Sequence, residues 1–233
     1  MIKMISIITP VLNEEQNIAP FLKNLNQIQG DFELIMVDGG SSDKTIDEIK
    51  KYRIEFHREL KILKSSAGRG HQMNIGAKNA RSDILFFLHV DSKIEKDTIP
   101  TIENEIKKNK IIGGGLTQCF SDSDNFLTLT SNFGNLRTRI TNIFFGDFGI
   151  FVRRDIFEKI GGYDEIIYLE DVEFSKKLKK YGKVKMLEKT IETSPRRFKS
   201  QGKIKITIMF TLAGVLNVIG YRPKFFIKFI VDK

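Results

Sequence analysis

Residues 4–43 read MISIITPVLNEEQNIAPFLKNLNQIQGDFELIMVDGGSSD, and this stretch decides the fold class. Met4–Pro10 is an apolar, β-branched run that ends in proline, the pattern of a buried strand. Over residues 14–29 the apolar positions Ile18, Phe21, Leu22, Leu25 and Ile28 fall three or four apart, as on one face of a helix. Phe32–Val37 is a second buried strand, broken by Gly39-Gly40. The same alternation continues outward. Asp43 is placed to cap a helix running toward Tyr52, and Leu60–Lys64 is a short third strand. Gly70–Ala80 reads as a helix with Met73, Ala77 and Ala80 on one face. Ile84–Val90 (ILFFLHV) is the most apolar strand, and the helix Asp97–Lys108 tolerates Pro100 in its first turn. Strands and helices alternating at this spacing predict right-handed βαβ units and an open, mostly parallel sheet flanked by helices, an α/β fold.

The pattern changes near residue 110. Ile111–Phe120 reads as a glycine-interrupted strand, Thr128–Thr141 as a helix and Phe148–Val152 as a strand. Asp155–Ile160 is a short helix stopped by Gly161-Gly162. Asp171–Tyr181 is a helix with Val172, Phe174 and Leu178 inward, ended by Gly182. No repeat or linker divides these segments. The expected organisation is one domain over residues 1–202, with a first half of about 1–110 and an accessory half of about 111–202, followed by a basic, apolar helical tail over 203–233. At 233 residues, 41% hydrophobic and 29% charged, the chain is neither disordered nor fibrous. A single cysteine, Cys119, closes no intramolecular disulfide and argues for a reducing compartment. The apolar run at the N-terminus is too short for a signal peptide, so a cytoplasmic location is expected.

The net charge of +9 is concentrated at one end. Residues 195–233 hold nine Lys or Arg against one acid, Asp232, which is +8, and leaves +1 for the first 194 residues. A nucleic-acid-binding face over the body is therefore not expected. Ile206–Tyr221 is a sixteen-residue uncharged stretch containing Thr207, Thr211 and Asn217, short and polar against the ~20 apolar residues that a bilayer span needs. Lys203 and Lys205 precede it, and Arg222, Lys224 and Lys228 follow, mixed with Phe225, Phe226 and Phe229. Basic flanks around apolar and aromatic residues suit peripheral contact with the inner face of an anionic membrane; a helix packed on the domain with its charges solvated is the other reading.

In open α/β sheets, ligands bind beyond the carboxyl ends of the strands. Polar and acidic clusters stand at three such ends: Thr9-Pro10-Val11-Leu12-Asn13-Glu14-Glu15, Asp38-Gly39-Gly40-Ser41-Ser42-Asp43 and His89-Val90-Asp91-Ser92. Each alone suits a turn or a cap. Three facing one rim point to a site, and the two glycines let backbone approach a ligand closely.

These residues carry a resemblance. Thr9-Pro-Val-Leu-Asn-Glu-Glu, Val37-Asp-Gly-Gly-Ser-Ser-Asp-Lys-Thr and Asp91, in that order, resemble the nucleotide-binding half of the family 2 glycosyltransferases, which have the GT-A fold. Gly68-Arg-Gly-His-Gln-Met-Asn-Ile-Gly-Ala resembles the segment before the family's metal-binding strand. Gly146-Asp-Phe-Gly-Ile-Phe-Val-Arg-Arg, Gly161-Gly-Tyr and Leu169-Glu-Asp-Val-Glu-Phe resemble its acceptor half with the "ED" motif. The match runs from about residue 5 to residue 197. The wording around Gly68, His89 and Ser194-Pro-Arg-Arg is most similar to the bacterial radical-SAM/selenodomain-associated transferases, a name that reports genomic association and no reaction.

The resemblance implies inverting, metal-assisted transfer of a hexosyl group from a UDP- or GDP-type sugar nucleotide to a hydroxyl acceptor, with a lipid-linked acceptor fitting a membrane-contacting tail. It implies donor contacts at Thr9, Pro10, Asn13, Glu14, Asp38, Gly39, Gly40 and Arg69, with Arg196 and Arg197 replacing the usual basic–aromatic element as a diphosphate clamp. It implies Asp171 as the base that takes the acceptor proton, with Asp147 and Glu170 on the acceptor side. In the family a D-x-D motif holds Mg²⁺ or Mn²⁺; here it reads His89-Val90-Asp91, so Asp91 matches the metal-contacting acid and histidine replaces the first. His89 is either a packed, hydrogen-bonded histidine or a direct contributor. An oxidoreductase is disfavoured because no G-x-G-x-x-G follows the first strand, and a nucleotidyltransferase because a Gly-rich first loop with Arg and Lys is missing there. A non-catalytic nucleotide- or membrane-binding protein on the same fold is the alternative, but as a purely anion-binding module it would leave the acids at three strand ends unexplained.

Overall fold

In the computed structural model, which describes residues 5–122, 124–166 and 168–218, the first half alternates as the periodicity dictates. The elements are β1 (Ile5–Val11), α1 (Glu15–Asn26), β2 (Phe32–Asp38), α2 (Thr45–Arg53), β3 (Leu60–Lys64), α3 (Arg69–Asn79) and β4 (Ile84–Phe87). β1 and β2 are buried along their whole length, which is why they read as unbroken apolar runs. The four strands are parallel in the order β3-β2-β1-β4, with Val11 opposite Asp38 and Ile8 opposite Phe87. This register brings the three polar strand ends to one rim.

The second half comprises β5 (Ser92–Ile94), α4 (Thr98–Asn109), β6 (Gly113–Phe120), α5 (Asn125–Thr141), a 3-10 turn at Gly146–Phe148, β7 (Ile150–Arg153), α6 (Arg154–Ile160), α7 (Glu170–Leu178), β8 (Val184–Thr193), α8 (Arg196–Gln201) and α9 (Lys203–Val218). β7 joins β4 antiparallel and extends the sheet to β3-β2-β1-β4-β7-β6-β8-β5. One face of the sheet is covered by a core that includes Phe21, Leu22, Ile49, Ile102 and Ile106 from α1, α2 and α4. The other is covered by Met73, Ala77, Phe157 and Phe174 from α3, α6 and α7. At Gly76 a Cβ would stand 2.4 Å from Ile8 Cγ2, so only glycine lets α3 lie this close to β1.

Several elements differ from the sequence expectation. The strand expected over Ile84–Val90 ends at Phe87. Leu88 N still donates to Ile8 O (3.0 Å), after which His89–Ser92 closes a turn in which Ser92 N donates to His89 O (3.1 Å). The strand expected from Phe148 starts at Ile150, because the glycines on either side of Asp147-Phe148 allow a 3-10 turn first. The helix expected from Thr128 begins at Asn125, capped by Asp124, whose Oδ1 accepts from Phe126 N and Leu127 N. β8 was not expected at all. α9 covers the start of the uncharged stretch and packs on the body: Ile206 is fully buried, and Met209, Phe210 and Leu216 lie against Tyr168, Leu169 and Val172. The rest of that stretch and the expected flank of Arg222, Lys224, Lys228, Phe225, Phe226 and Phe229 lie outside the described residues. No helix among the described residues is long and apolar enough to cross a membrane.

Candidate functional site

The rim is built by loops that hold their own backbone. Asn13 takes a left-handed conformation (φ +54°), a state that asparagine tolerates better than most residues. Its Oδ1 accepts from Ser42 N (2.9 Å), and its N–H donates to Ser41 Oγ (3.0 Å). Asp38 is buried; Oδ1 accepts from Ser41 N (3.0 Å) and Ser41 Oγ (2.6 Å), and Oδ2 from Gly40 N (3.3 Å). Asp38 and Asn13 thus shape the Gly39–Ser42 turn beside Thr9 and Pro10. Thr9 Oγ1 is buried there with no hydrogen-bond partner among the described residues. A residue that the sequence reading missed braces this corner. Gln72 of α3, buried, donates Nε2 to Val11 O (3.0 Å) and Val37 O (2.7 Å). Its signal was a polar residue on the inward face that also carries Met73 and Ala77.

Glu14, Asp91, Arg196 and Arg197 form a second group. Arg196 reaches Glu14 at 3.2 Å. Asp91, in the turn after β4, has its carboxyl pushed up to about 6 by burial and by the charge of Glu14, with Arg196 and Arg197 pulling it down. Arg197 also lies over the Phe210 ring, 5.7 Å from its centroid. Among the described residues no three His, Cys, Asp or Glu side chains converge on a metal position. The donor set is one hard carboxylate, Asp91, with its burial uncompensated by a full ion pair. That fits a divalent ion completed by oxygens of a bound diphosphate, and does not fit a closed all-protein cage.

The third group holds the "ED" carboxylates. Leu169, buried and left-handed (φ +61°), precedes α7; a leucine in this region stores strain, a feature that concentrates at functional sites. It turns Glu170 inward, where the side chain is buried and pairs with Arg69 (Nε to Oε1, 3.3 Å). Arg69, implied by the resemblance as a donor contact, opens α3 facing α7 and so lies beside these carboxylates. Burial pushes Glu170 up to about 7, with Asp171 adding to the rise and Arg69 opposing it. Asp171 Oδ1 accepts from Val172 N (2.7 Å), and Oδ2 accepts from Gly146 N. Burial raises its pKa too, opposed first by Arg69, then by the two N–H groups and Arg137. Asp147 is raised to about 6 by burial and the Asp171 charge, with Arg137 opposing. Arg137, over the Phe145 ring at 4.0 Å, is a second residue the sequence reading missed; one arginine on a helix of mixed polarity gives no signal. A Cβ on Gly146 would sit 2.9 Å from His89 Nε2 and 3.1 Å from Asp171 Oδ2, so histidine and aspartate face one another across this glycine. Met73, Phe87 and Tyr163 complete the cavity that they line with Glu170.

A parallel nucleotide-type half sheet, an antiparallel continuation and carboxylates gathered at the junction define a GT-A fold. A solved mannosyltransferase from Pyrobaculum calidifontis, in complex with GDP-Man and Mn²⁺, superposes with a TM-score of 0.74 at 18% identity, over 94% of this chain and 65% of that one. Staphylococcus aureus TarS residues 1–349, in complex with UDP-GlcNAc, gives 0.67 at 19%, over 82% of this chain and 58% of that one. In sequence, the undecaprenyl-phosphate 4-deoxy-4-formamido-L-arabinose transferase of Proteus mirabilis is 26% identical over 65% of this chain and 48% of its own length. The poly(ribitol-phosphate) beta-N-acetylglucosaminyltransferase TarS of Staphylococcus aureus is 31% identical over 40% of this chain and 17% of its own length. The chain thus spans half or less of these two relatives. Residues 6–161 match glycosyl transferase family 2, and the chain belongs to that family.

Proposed function

We propose that the protein transfers a sugar from a nucleotide-sugar donor to a hydroxyl acceptor with inversion, and that Asp171 is the base. The observation that carries this reading is the Asp171 carboxylate. It is held by two backbone N–H groups in a small cavity, its pKa is raised by burial, and beside it stands Glu170, pushed up to about 7 by burial. In the step proposed, the acceptor oxygen forms a bond to the anomeric carbon as the bond from that carbon to the diphosphate breaks. The acceptor's proton passes to Asp171, and the electron pair leaves with the diphosphate. Asp147 and Glu170 border the acceptor side.

Thr9, Pro10, Asp38, Gly39 and Gly40 would contact base and ribose, with the unpartnered Thr9 hydroxyl as one free group. Asn13 holds their loop. Glu14 with Arg196 and Arg197 would border the diphosphate. A divalent ion, Mg²⁺ or Mn²⁺, on Asp91 would neutralise charge on the leaving diphosphate. A UDP or GDP donor is favoured by the ligands named for the two solved neighbours. A polyprenyl-phosphate acceptor at the inner face of a membrane is favoured by the names of two relatives, the Proteus mirabilis enzyme and the dodecaprenyl-phosphate galacturonate synthase of Rhizobium johnstonii. The motif wording around Gly68, His89 and Ser194 supports placement among the radical-SAM/selenodomain-associated transferases.

Asp171→Asn tests the base. Asparagine keeps the shape but cannot accept a proton at neutral pH, so turnover should fall by roughly 10²–10⁴ while donor affinity stays within a few fold. Sugar transfer or donor hydrolysis is measured beside equilibrium donor binding; full turnover in the variant would move the base to Asp147 or Glu170.

A further inference from the structure

Seven of the nine large apolar side chains that stand exposed among the described residues lie on two helices. On α5 they are Leu129, Phe133, Leu136 and Ile140, spaced four, three and four apart; on α9 they are Ile204, Ile208 and Leu212, spaced four apart. Each set faces directly away from its helix's buried residues, Leu127, Ser131 and Thr138 on α5 and Ile206 on α9. Ion pairing of Lys203 with Asp124 (2.5 Å) joins the two N-termini, and α9 then packs through Met209, Phe210 and Leu216 beside Ile143 and Phe145, just beyond the C-terminus of α5. The two helices therefore run side by side, each with an outward apolar stripe. An apolar face of this kind on a soluble domain marks an interaction surface.

We propose that the outer faces of α5 and α9 are the surface through which the protein lies on an anionic lipid bilayer. The charge favours this occupant: residues 195–233 carry +8, and the ion pairs of Arg196, Lys199 and Lys203 with Glu14, Asp122 and Asp124 still leave the segment a basic balance, complementary to an anionic leaflet. The inner face of α9 rests on Tyr168, Leu169 and Val172, the residues that flank Glu170 and Asp171, so the membrane face and the carboxylate cavity share one helix start. A lipid-linked acceptor reaching that cavity rests on the proposed function; the membrane surface does not.

The test is sedimentation of the full chain with phosphatidylcholine vesicles, with and without phosphatidylglycerol. Wild type should pellet with the anionic vesicles and be released by salt. The double substitution Phe133→Ser, Leu136→Ser on exposed positions of α5, which leaves the basic segment intact, should bind roughly tenfold more weakly or less, while the thermal midpoint and its shift by UDP or GDP with Mn²⁺ stay unchanged. Unaltered vesicle binding in the variant, or no binding by wild type, overturns the proposal. So does a wild-type dimer that the substitutions split in velocity sedimentation, or a lowered thermal midpoint with vesicle binding intact, which would mean that residues 219–233 cover the face. Vesicle binding without any nucleotide response would instead remove the glycosyltransferase reading and leave this one standing.

Discussion

Two adjacent carboxylates at one helix start stand in different environments. Glu170 is buried and holds its proton up to about 7, which spares Asp171 a second full negative charge beside it. Asp171 keeps two N–H donors and faces Arg69 and Arg137. Arg69 is the strongest influence holding the Asp171 pKa down, so Arg69→Met should raise that pKa further. For a base at Asp171, active only when deprotonated, activity should then appear at higher pH, and the acid limb of the pH–rate profile should move up. An unmoved limb would mean that some other group titrates in the reaction. The Glu170-Asp171 pair was legible only through the resemblance carried by Leu169-Glu-Asp-Val-Glu-Phe, since acids at a helix start by themselves suit the helix dipole. The sequence could not make Arg69 legible as their partner, because that contact joins the starts of α3 and α7, a hundred residues apart, and no local pattern records it.

Among the elements, those written in a local period were readable and those created by distant pairing were not. β1 and β2 follow the expected bounds within a residue because their apolar runs are buried on both faces, and β3, partly buried at the sheet edge, keeps the expected Leu60–Lys64. β8, VKMLEKTIET, is only partly buried and carries Lys and Glu on its open face. It is a strand because β6 and β5 flank it in space, and strand character there is set by its neighbours. α3 shows the opposite case, a helix whose single inward amide locks two strands. Replacing that amide in Gln72→Leu removes one hydrogen bond each from the carbonyls of Val11, which keeps Gly39 N–H, and Val37, at a cost of about 0.5–1.5 kcal/mol per bond. The same side chain supports Gly39, where a Cβ would meet it at 3.1 Å, so the Asp38 turn should loosen too. The expected outcome in denaturant unfolding and nucleotide titration is lower stability together with weaker donor binding. Lower stability with unchanged donor binding would show that the turn keeps its shape without this brace.

At the scale of the whole molecule, the group around Asp91 forms only when distant parts of the chain meet. Glu14 and Arg196, 182 residues apart, form an ion pair, and Asp91 stands within the field of both. Periodicity could place Asp91 after the fourth strand, but only the β4–β7 junction and the return of α8 put cations and a second acid around it. This arrangement gives a prediction with opposite signs in two conditions. In the absence of a divalent ion the Asp91 carboxylate opposes a diphosphate, and above about pH 6 it carries its charge despite its burial. Asp91→Asn removes that charge and keeps the shape, so in EDTA at pH 8 the variant should bind UDP or GDP more tightly than wild type. With Mn²⁺ present the order should reverse if, as proposed, this carboxylate holds the ion. The variant should then lose most of the metal-dependent gain, roughly tenfold or more in affinity given a partly desolvated charge pair. Its thermal midpoint at pH 8 should not fall: the folded pKa lies above the usual 3.8, so ionised Asp91 costs stability once the pH has risen through that interval, and asparagine avoids the cost. Calorimetric titrations in the two buffers decide the matter. Weaker nucleotide binding in both would make Asp91 a structural acid of the turn, and His89, across Gly146 from Asp171, would be the next metal ligand to substitute.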